Sequence, residues 1–152
     1  RLLKPGGEIA AVDWCLTERF DEDDPKHRDI RDRIEYSNAT PDLLKTQAQL
    51  DTMKGAGFEI LSATDQAAEG DPSTPWYRAL QGRDVSLASL ARIPAGRSFT
   101  TGLTGLLEKL RIAPPGTSEA SKLLNIAADS VVEGGELGIF TPSFLVHARK
   151  PE

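Results

Sequence analysis

The chain is poor in the residues that usually advertise chemistry. Its 152 residues hold one cysteine, Cys15, and two histidines, His27 and His147. A lone cysteine closes no internal disulfide and makes no Cys-x-x-Cys pair, so nothing points to an oxidising compartment. Aromatic residues make up 6% of the sequence, and no uninterrupted apolar run approaches the roughly 20 residues of a membrane span. Basic runs are absent and the formal net charge is -5, which argues against a phosphate-tracking surface and a nucleic-acid partner. There is no GxGxG-like run, no internal repeat and no low-complexity stretch. The acidic run Asp21-Glu22-Asp23-Asp24 lacks the spacing and the glycine of a calcium loop, and it reads as a solvated loop leading into a helix N-terminus.

What is present is ordinary for a soluble globular protein: 39% hydrophobic and 27% charged residues, enough for one domain. Lys4-Pro5-Gly6-Gly7 reads as a tight turn, with the last turn of a helix before it and a strand over 8–16 after it. That strand is nearly continuous in small and apolar residues, as in a strand covered on both faces. Such an opening suggests the C-terminal piece of a larger α/β fold. Asp24-Pro25 supplies an N-cap and a first-turn proline for a helix over about 25–37. Its apolar residues are few (Ile30, Ile34, Tyr36), so a surface helix or flap is expected. Thr40-Pro41 predicts a second helix over 41–56, with Leu43, Leu50 and Met53 on one face and Gly55 and Gly57 ending it. A strand follows at 58–64.

The alternation then stops. Residues 66–82 read as a loop carrying Pro75-Trp76-Tyr77, and a short helix is expected at 86–92. Residues 98–111 are amphipathic, with Phe99, Leu103, Leu106, Leu107 and Leu110 in helical register. A second helix, capped by Ser118 and closed by Gly134-Gly135, pairs with the first as a hairpin. The leucine stripe reads first as core between these helices and second as contact with a ligand. A final strand begins at Ile139.

Several stretches resemble sterol 24-C-methyltransferases, a class I S-adenosylmethionine-dependent family. They are LKPGG at 3–7, DWCLTERF at 13–20, DPKHRDIRDRIEYSNATPD at 24–42, PWY at 75–77, IAPPG at 112–116, VEGGELGIFTP at 132–142 and ARKPE at 148–152. They occur in the family's order and together cover essentially the whole chain. The resemblance implies the C-terminal half of a Rossmann-like methyltransferase sheet, its last strand running antiparallel between the other two. It also implies a helical, sterol-binding insertion. Residues 1–65 would be the C-terminal half of the α/β core with its flap helix, 66–138 the insertion, and 139–152 the final strand and tail. The implied activity is methyl transfer to carbon 24 of a sterol side chain in sterol biosynthesis. S-adenosylmethionine would be held mainly by an N-terminal half, with no cofactor-binding residue and no metal ligand in this segment. The implied partner is a sterol; peripheral membrane association, on the cytoplasmic side of the endoplasmic reticulum or on lipid droplets, follows from the insoluble substrate, and a homo-oligomer is left open. Another class I lipid or isoprenoid methyltransferase and a non-catalytic sterol-binding module are the alternative readings.

Such a site needs an apolar slot, electron-rich groups and one base, and it must exclude water. Asp13 and Trp14 end the first strand, the edge where open α/β sheets bind ligands. Asp13 would stabilise a cation or take a proton, or else cap the loop that follows; Trp14 would act by cation–π attraction, or else be core. Glu35 and Tyr36 stand at the end of the first helix, where the family continues Gly-Asp-Gly and this chain has Ser37-Asn38-Ala39. Asp13 and Glu35 are therefore the catalytic candidates. Trp14, Thr17, Tyr36, Trp76, Tyr77, Phe140 and Thr141 are the substrate-binding candidates. Cys15 reads as a small buried hydrophobe, His27 as a helix-surface residue and His147 as a satisfied strand residue.

Overall fold

The computed structural model describes residues 3–40, 42–81 and 94–152. The helix end expected at Leu2–Leu3 and the short helix expected at 86–92 fall partly or wholly outside them. Within the described residues the order is β1 (Glu8–Leu16), α1 (Pro25–Asn38), α2 (Thr46–Gly55), β2 (Glu59–Asp65), a 3-10 turn (Trp76–Ala79), α3 (Pro94–Lys109), α4 (Thr117–Leu137) and β3 (Phe140–Arg149).

The three strands form one sheet in the order β1-β3-β2, with β3 antiparallel to both neighbours. β1 and β2 thus run parallel, and their C-terminal ends share an edge with the start of β3. This is the mixed α/β arrangement expected from the sequence. The Lys4–Gly7 turn is formed, with Gly6 at positive φ and the Gly7 amide donating to the Lys4 carbonyl at 2.9 Å.

Pairing of β1 with β3 slips once. Asp13 faces Phe144, while Cys15 faces Thr141, so β3 takes one residue more than β1 over this step. Pro142 lies inside it and has no N–H for the ladder, which is where a bulge is tolerated. The slip turns Phe140 and Phe144 to opposite faces. Phe140 joins Leu16, Phe20, Ile30, Ile34, Leu43, Val131 and Ile139 in one core, between the sheet and the α1–α4 pair. Phe144 joins Cys15 and Val146 in another, covered by Leu50 and Met53 of α2 and by Ile60.

Six expectations change. β1 is not covered on both faces among the described residues: only Cys15 and Leu16 are buried and Val12 is 60% exposed, because the described helices cover only its C-terminal end. α1 is not a flap. Asp24 caps it as expected, accepting from the Lys26 amide at 2.7 Å. Ile30 and Ile34, one turn apart, are both fully buried against α4, each contributing about 1.5–3 kcal/mol of burial. The Arg33 guanidinium adds a two-pronged bond to Glu133 of α4 at 2.6 and 3.3 Å. α2 begins at Thr46 rather than at residue 41, because the chain before it is recruited elsewhere: the Leu16 amide donates to the Leu44 carbonyl, extending β1.

Ser118 does not cap α4, whose N-cap is Gly116; its hydroxyl donates to Glu108 of α3 at 2.6 Å. Gly134 and Gly135 do not end α4 either. The helix continues to Leu137 and closes on Gly138 at φ 67°. The two glycines serve close packing instead: a Cβ on Gly134 would lie 2.9 Å from that of Phe140, and one on Gly135 would lie 2.5 Å from the Tyr77 ring. Finally, α3 and α4 do pair, but the leucine stripe is not between them. Phe99, Leu103, Leu106 and Leu110 are exposed, and α3 meets α4 through Thr101, Gly105 and Glu108.

Candidate functional site

A cavity of about 440 Å³ opens at the sheet edge shared by the ends of β1 and β2 and the start of β3. Its size falls in the range of small-molecule sites, roughly 300–1,000 Å³. Thr17, Glu18 and Arg19 line it after β1, Asp65, Ala67 and Ala68 at and after β2, and Phe140 and Thr141 from β3. Pro75, Trp76 and Tyr77 close it from the side, the two rings resting on α4 at Gly135, and Gly138 completes the lining. Ligands of open α/β sheets bind at this edge.

The aromatic wall has a local cause. Pro75 holds the chain extended at ψ 146°, and the residues after it wind into a 3-10 turn that sets Trp76 and Tyr77 edge to face at 5.4 Å. Gly135 lets both rings lie directly on α4. Trp76 meets Phe140 at 6.0 Å, and Phe140 meets Trp14 edge to face at 5.4 Å. Four aromatic side chains thus run in sequence from the cavity wall to the end of β1. Trp14 stands behind Phe140 and is not itself a lining residue.

The polar part of the cavity centres on Asp65. Its Oδ1 accepts from the Thr141 hydroxyl at 2.6 Å and from the amides of Ala67 and Ala68 at 3.0 and 3.3 Å. Thr141 is buried and Asp65 half-buried. On the β1 side, the Thr17 hydroxyl donates to the Gly138 carbonyl at 2.6 Å, fastening the start of the loop to the end of α4.

Of the residues singled out from the sequence, the structure brings Thr17, Trp76, Tyr77, Phe140 and Thr141 around one cavity, with Trp14 adjoining. It places the others elsewhere. Asp13 is exposed and paired with Phe144 on the α2 side; its Oδ1 accepts from the Trp14 amide at 2.9 Å and its Oδ2 from Gln49 of α2 at 3.3 Å. The Glu35 carboxylate accepts from the Leu43 amide at 2.8 Å, pinning the segment between α1 and α2. Tyr36 is 75% exposed on the outside of α1. Asp65 was not among the sequence candidates, although an acid closing a parallel strand is the same signal that singled out Asp13.

The other groups are structural. Burial, reinforced by the charges of Asp13 and Asp65, pushes the Cys15 thiol up to about 11, so it stays protonated at neutral pH and is no nucleophile. His27 is not simply a surface residue: its Nδ1 accepts from the Asp21 amide at 3.0 Å and its ring stacks on Phe20, folding the acidic loop against α1. His147 and Arg149 both reach Glu8 across the β1–β3 pair, at 2.8 Å each.

Residues 88–152 match the family model described as sterol methyltransferase C-terminal. Over its whole length the chain is 40% identical to cycloartenol-C-24-methyltransferase of Arabidopsis thaliana and spans 45% of that protein. It is 37% identical to sterol 24-C-methyltransferase of Saccharomyces cerevisiae, again over its whole length, and spans 41% of that protein. The chain thus covers less than half the length of these curated relatives. Among solved structures, a Galdieria sulphuraria protein described as a sarcosine dimethylglycine methyltransferase superposes with a TM-score of 0.55 over 99% of this chain and 44% of that one. At 18% identity this likeness speaks for the methyltransferase fold alone. Over its whole length the chain is thus similar to part of the sterol 24-C-methyltransferases, and its residues 88–152 to the C-terminal region of that family.

Proposed function

We propose that this chain supplies the acceptor side of a sterol side-chain methyltransferase, with the sterol seated against Trp76, Tyr77 and Phe140. The observation that carries this reading is the aromatic-walled cavity at the ligand-binding edge of the sheet, in a chain similar to this family. The wall is apolar where a hydrocarbon must lie, and a single carboxylate is held at its polar end. Trp76 and Tyr77 exclude water from the slot, and their faces attract cationic character on a bound side chain by about 0.5–2 kcal/mol each. Asp65 is the acid placed to receive a proton there, with Thr141 and two amides fixing its Oδ1. Asp13, near the end of β1 and on the α2 side of the sheet, is the second candidate carboxylate.

The family resemblance implies S-adenosylmethionine as methyl donor. The described residues do not form a seat for it. Such a seat takes a Gly-rich turn leading from a strand into a helix N-terminus. Here Gly6 and Gly7 precede a strand, Gly55 and Gly57 separate α2 from β2, and Gly134 and Gly135 are packed inside α4.

The test is binding of a cycloartenol-type sterol in detergent micelles, followed by tryptophan fluorescence. A saturable signal that Trp76→Ala weakens at least about tenfold supports the reading; binding unaffected by Trp76→Ala overturns it. Sterol binding by the full natural-length protein without methyl transfer would favour the binding-module alternative.

A further inference from the structure

The loop that leads into the aromatic wall carries a Thr-Pro step. The sequence holds three such steps, at Thr40, Thr74 and Thr141. Thr141 is buried, and so is the Thr40 hydroxyl. Thr74 is exposed, at the end of an exposed run from 68 to 74 that carries no helix or strand. Pro75 follows at φ -60° and ψ 146°, and a proline biases the residue before it toward extended backbone as well. The step is thus presented in the extended form in which a kinase cleft takes its substrate. The proline also brings no N–H, so it suits a cleft that offers that group no partner.

Two charged side chains stand where a phosphate on Thr74 would meet them. Asp71 builds the turn: its Oδ1 accepts from the Ser73 amide at 2.9 Å, its Oδ2 from the Ser73 hydroxyl at 2.7 Å, and its carbonyl from the Thr74 amide at 2.9 Å. The Ser73 amide and hydroxyl, and then the Thr74 hydroxyl, hold the Asp71 carboxyl below the usual carboxylate range, so it is charged at neutral pH. Arg78 belongs to the 3-10 turn (Trp76–Ala79) and reaches back, its guanidinium donating to the Ser73 carbonyl at 2.7 Å. Ser73 is not the acceptor: threonine follows it rather than proline, and its hydroxyl is committed to Asp71. Thr74 therefore lies between an acid that caps its loop and a cation carried by the turn of the aromatic wall.

We propose that Thr74 is a phosphorylation site for a proline-directed kinase, and that the phosphate unseats the Trp76–Tyr77 wall. The consequence for ligand rests on the sterol reading above; the site and the movement do not. The γ-phosphoryl group of ATP passes to Thr74 Oγ1: a P–O bond forms there, the bond to the β-phosphate oxygen breaks, ADP leaves and the hydroxyl proton goes to the kinase's base. The product carries close to two negative charges at pH 7. A donor toward Asp71 is replaced by a dianion beside the Asp71 carboxylate, which repels it. Arg78 is drawn from the Ser73 carbonyl to the phosphate oxygens. Push and pull both act on the turn that sets Trp76 and Tyr77 against Gly135.

The experiment treats the full natural-length protein with ATP and a purified proline-directed kinase, and locates phosphate by mass spectrometry. Thr74 should be modified in at least about half the molecules. Without any sterol, the part of the tryptophan emission that Trp76→Phe removes should move to longer wavelength on phosphorylation, and Thr74→Ala should show no such shift. Binding of a cycloartenol-type sterol in micelles should then weaken at least about tenfold. Asp71→Asn removes the repelling charge and should cut that loss to less than about threefold; circular dichroism checks its fold, and Arg78→Gln, which should also lessen the loss, replaces it if it is unfolded. Thr74 left unmodified by a kinase that modifies a control Thr-Pro peptide, a phosphate that leaves the Trp76 emission unchanged, or a loss of affinity that these variants do not lessen would each overturn the proposal. Because modification and emission are read without sterol, failure here is separable from failure of the sterol site.

Discussion

The two carboxylates at the strand ends differ by environment rather than by type. Asp65 is half-buried, lines the cavity and receives three hydrogen bonds on one oxygen. Asp13 is exposed and engages Gln49 of α2 and its own following amide. In the full natural-length enzyme, Asp65→Asn should lower turnover at least about tenfold, equivalent to ~1.4 kcal/mol of barrier, while Asp13→Asn should change it less than threefold. A steady-state methyl-transfer assay decides; the reverse ranking returns the role to Asp13. At this scale the sequence is a partial guide. Trp76 and Tyr77 stand out because aromatics in a polar loop are legible locally, whereas Thr141 enters only through the family-like stretch at 132–142. Asp65 carries the same local signal as Asp13, an acid closing a strand, but what sets it apart comes from Thr141, 76 residues away, and from the cavity both share. Glu35 shows the converse: an acid in a family-like stretch whose carboxylate holds the Leu43 backbone.

Elements were legible where capping and turn chemistry are local. The Lys4–Gly7 turn, the Asp24-Pro25 helix start and the strand over 8–16 all follow from short-range signals. The Gly134-Gly135 pair misleads because glycine usually breaks helices, whereas here the missing side chains make room for Phe140 and for the Trp76–Tyr77 platform. The stripe on α3 misleads for a related reason: periodicity tells which face is apolar, not what covers it. Two substitutions separate these uses of glycine. Gly102→Ala lies mid-helix in α3 with nothing within 4 Å of the new Cβ, so helix propensity alone should raise stability by up to about 1 kcal/mol. Gly135→Ala gains the same propensity but puts its Cβ 2.8 Å from the Trp76 ring and 2.5 Å from that of Tyr77. Overpacking of this kind costs about 1–3 kcal/mol, so the net change should be destabilising and sterol affinity should fall with it. Urea unfolding of both variants gives opposite signs if the platform is packed as described. A stabilising Gly135→Ala would mean that the two rings move aside freely.

Across the whole molecule, stability is unevenly spread. The α1–α4 pair and β3 share the larger core, whereas the main partner of α3 among the described elements is α4, through small and polar residues. Two acids near the surface tie parts of the molecule together. Hydrogen bonds from the Ser118 hydroxyl, then from the Gly116 and Ser118 amides, hold Glu108 below the usual carboxylate range; Arg149, then His147, does the same for Glu8. A carboxylate whose folded value is depressed lends stability above its unfolded value, near 4.3, and loses it as pH falls through the folded one. Glu108 joins α3 to the start of α4, where little else holds the pair; Glu8 joins strands that are already fully laddered. Acid should therefore loosen the hairpin before the sheet. Hydrogen–deuterium exchange, corrected for the chemical rate at each pH, should show α3 amides losing protection between about pH 5 and 3 while β3 amides keep theirs. Glu108→Gln should leave α3 less protected at pH 7 and remove most of that pH dependence. If β3 opens first, or α3 is as protected as the sheet at every pH, the hairpin is held by more than α4 and this ordering of the molecule is wrong.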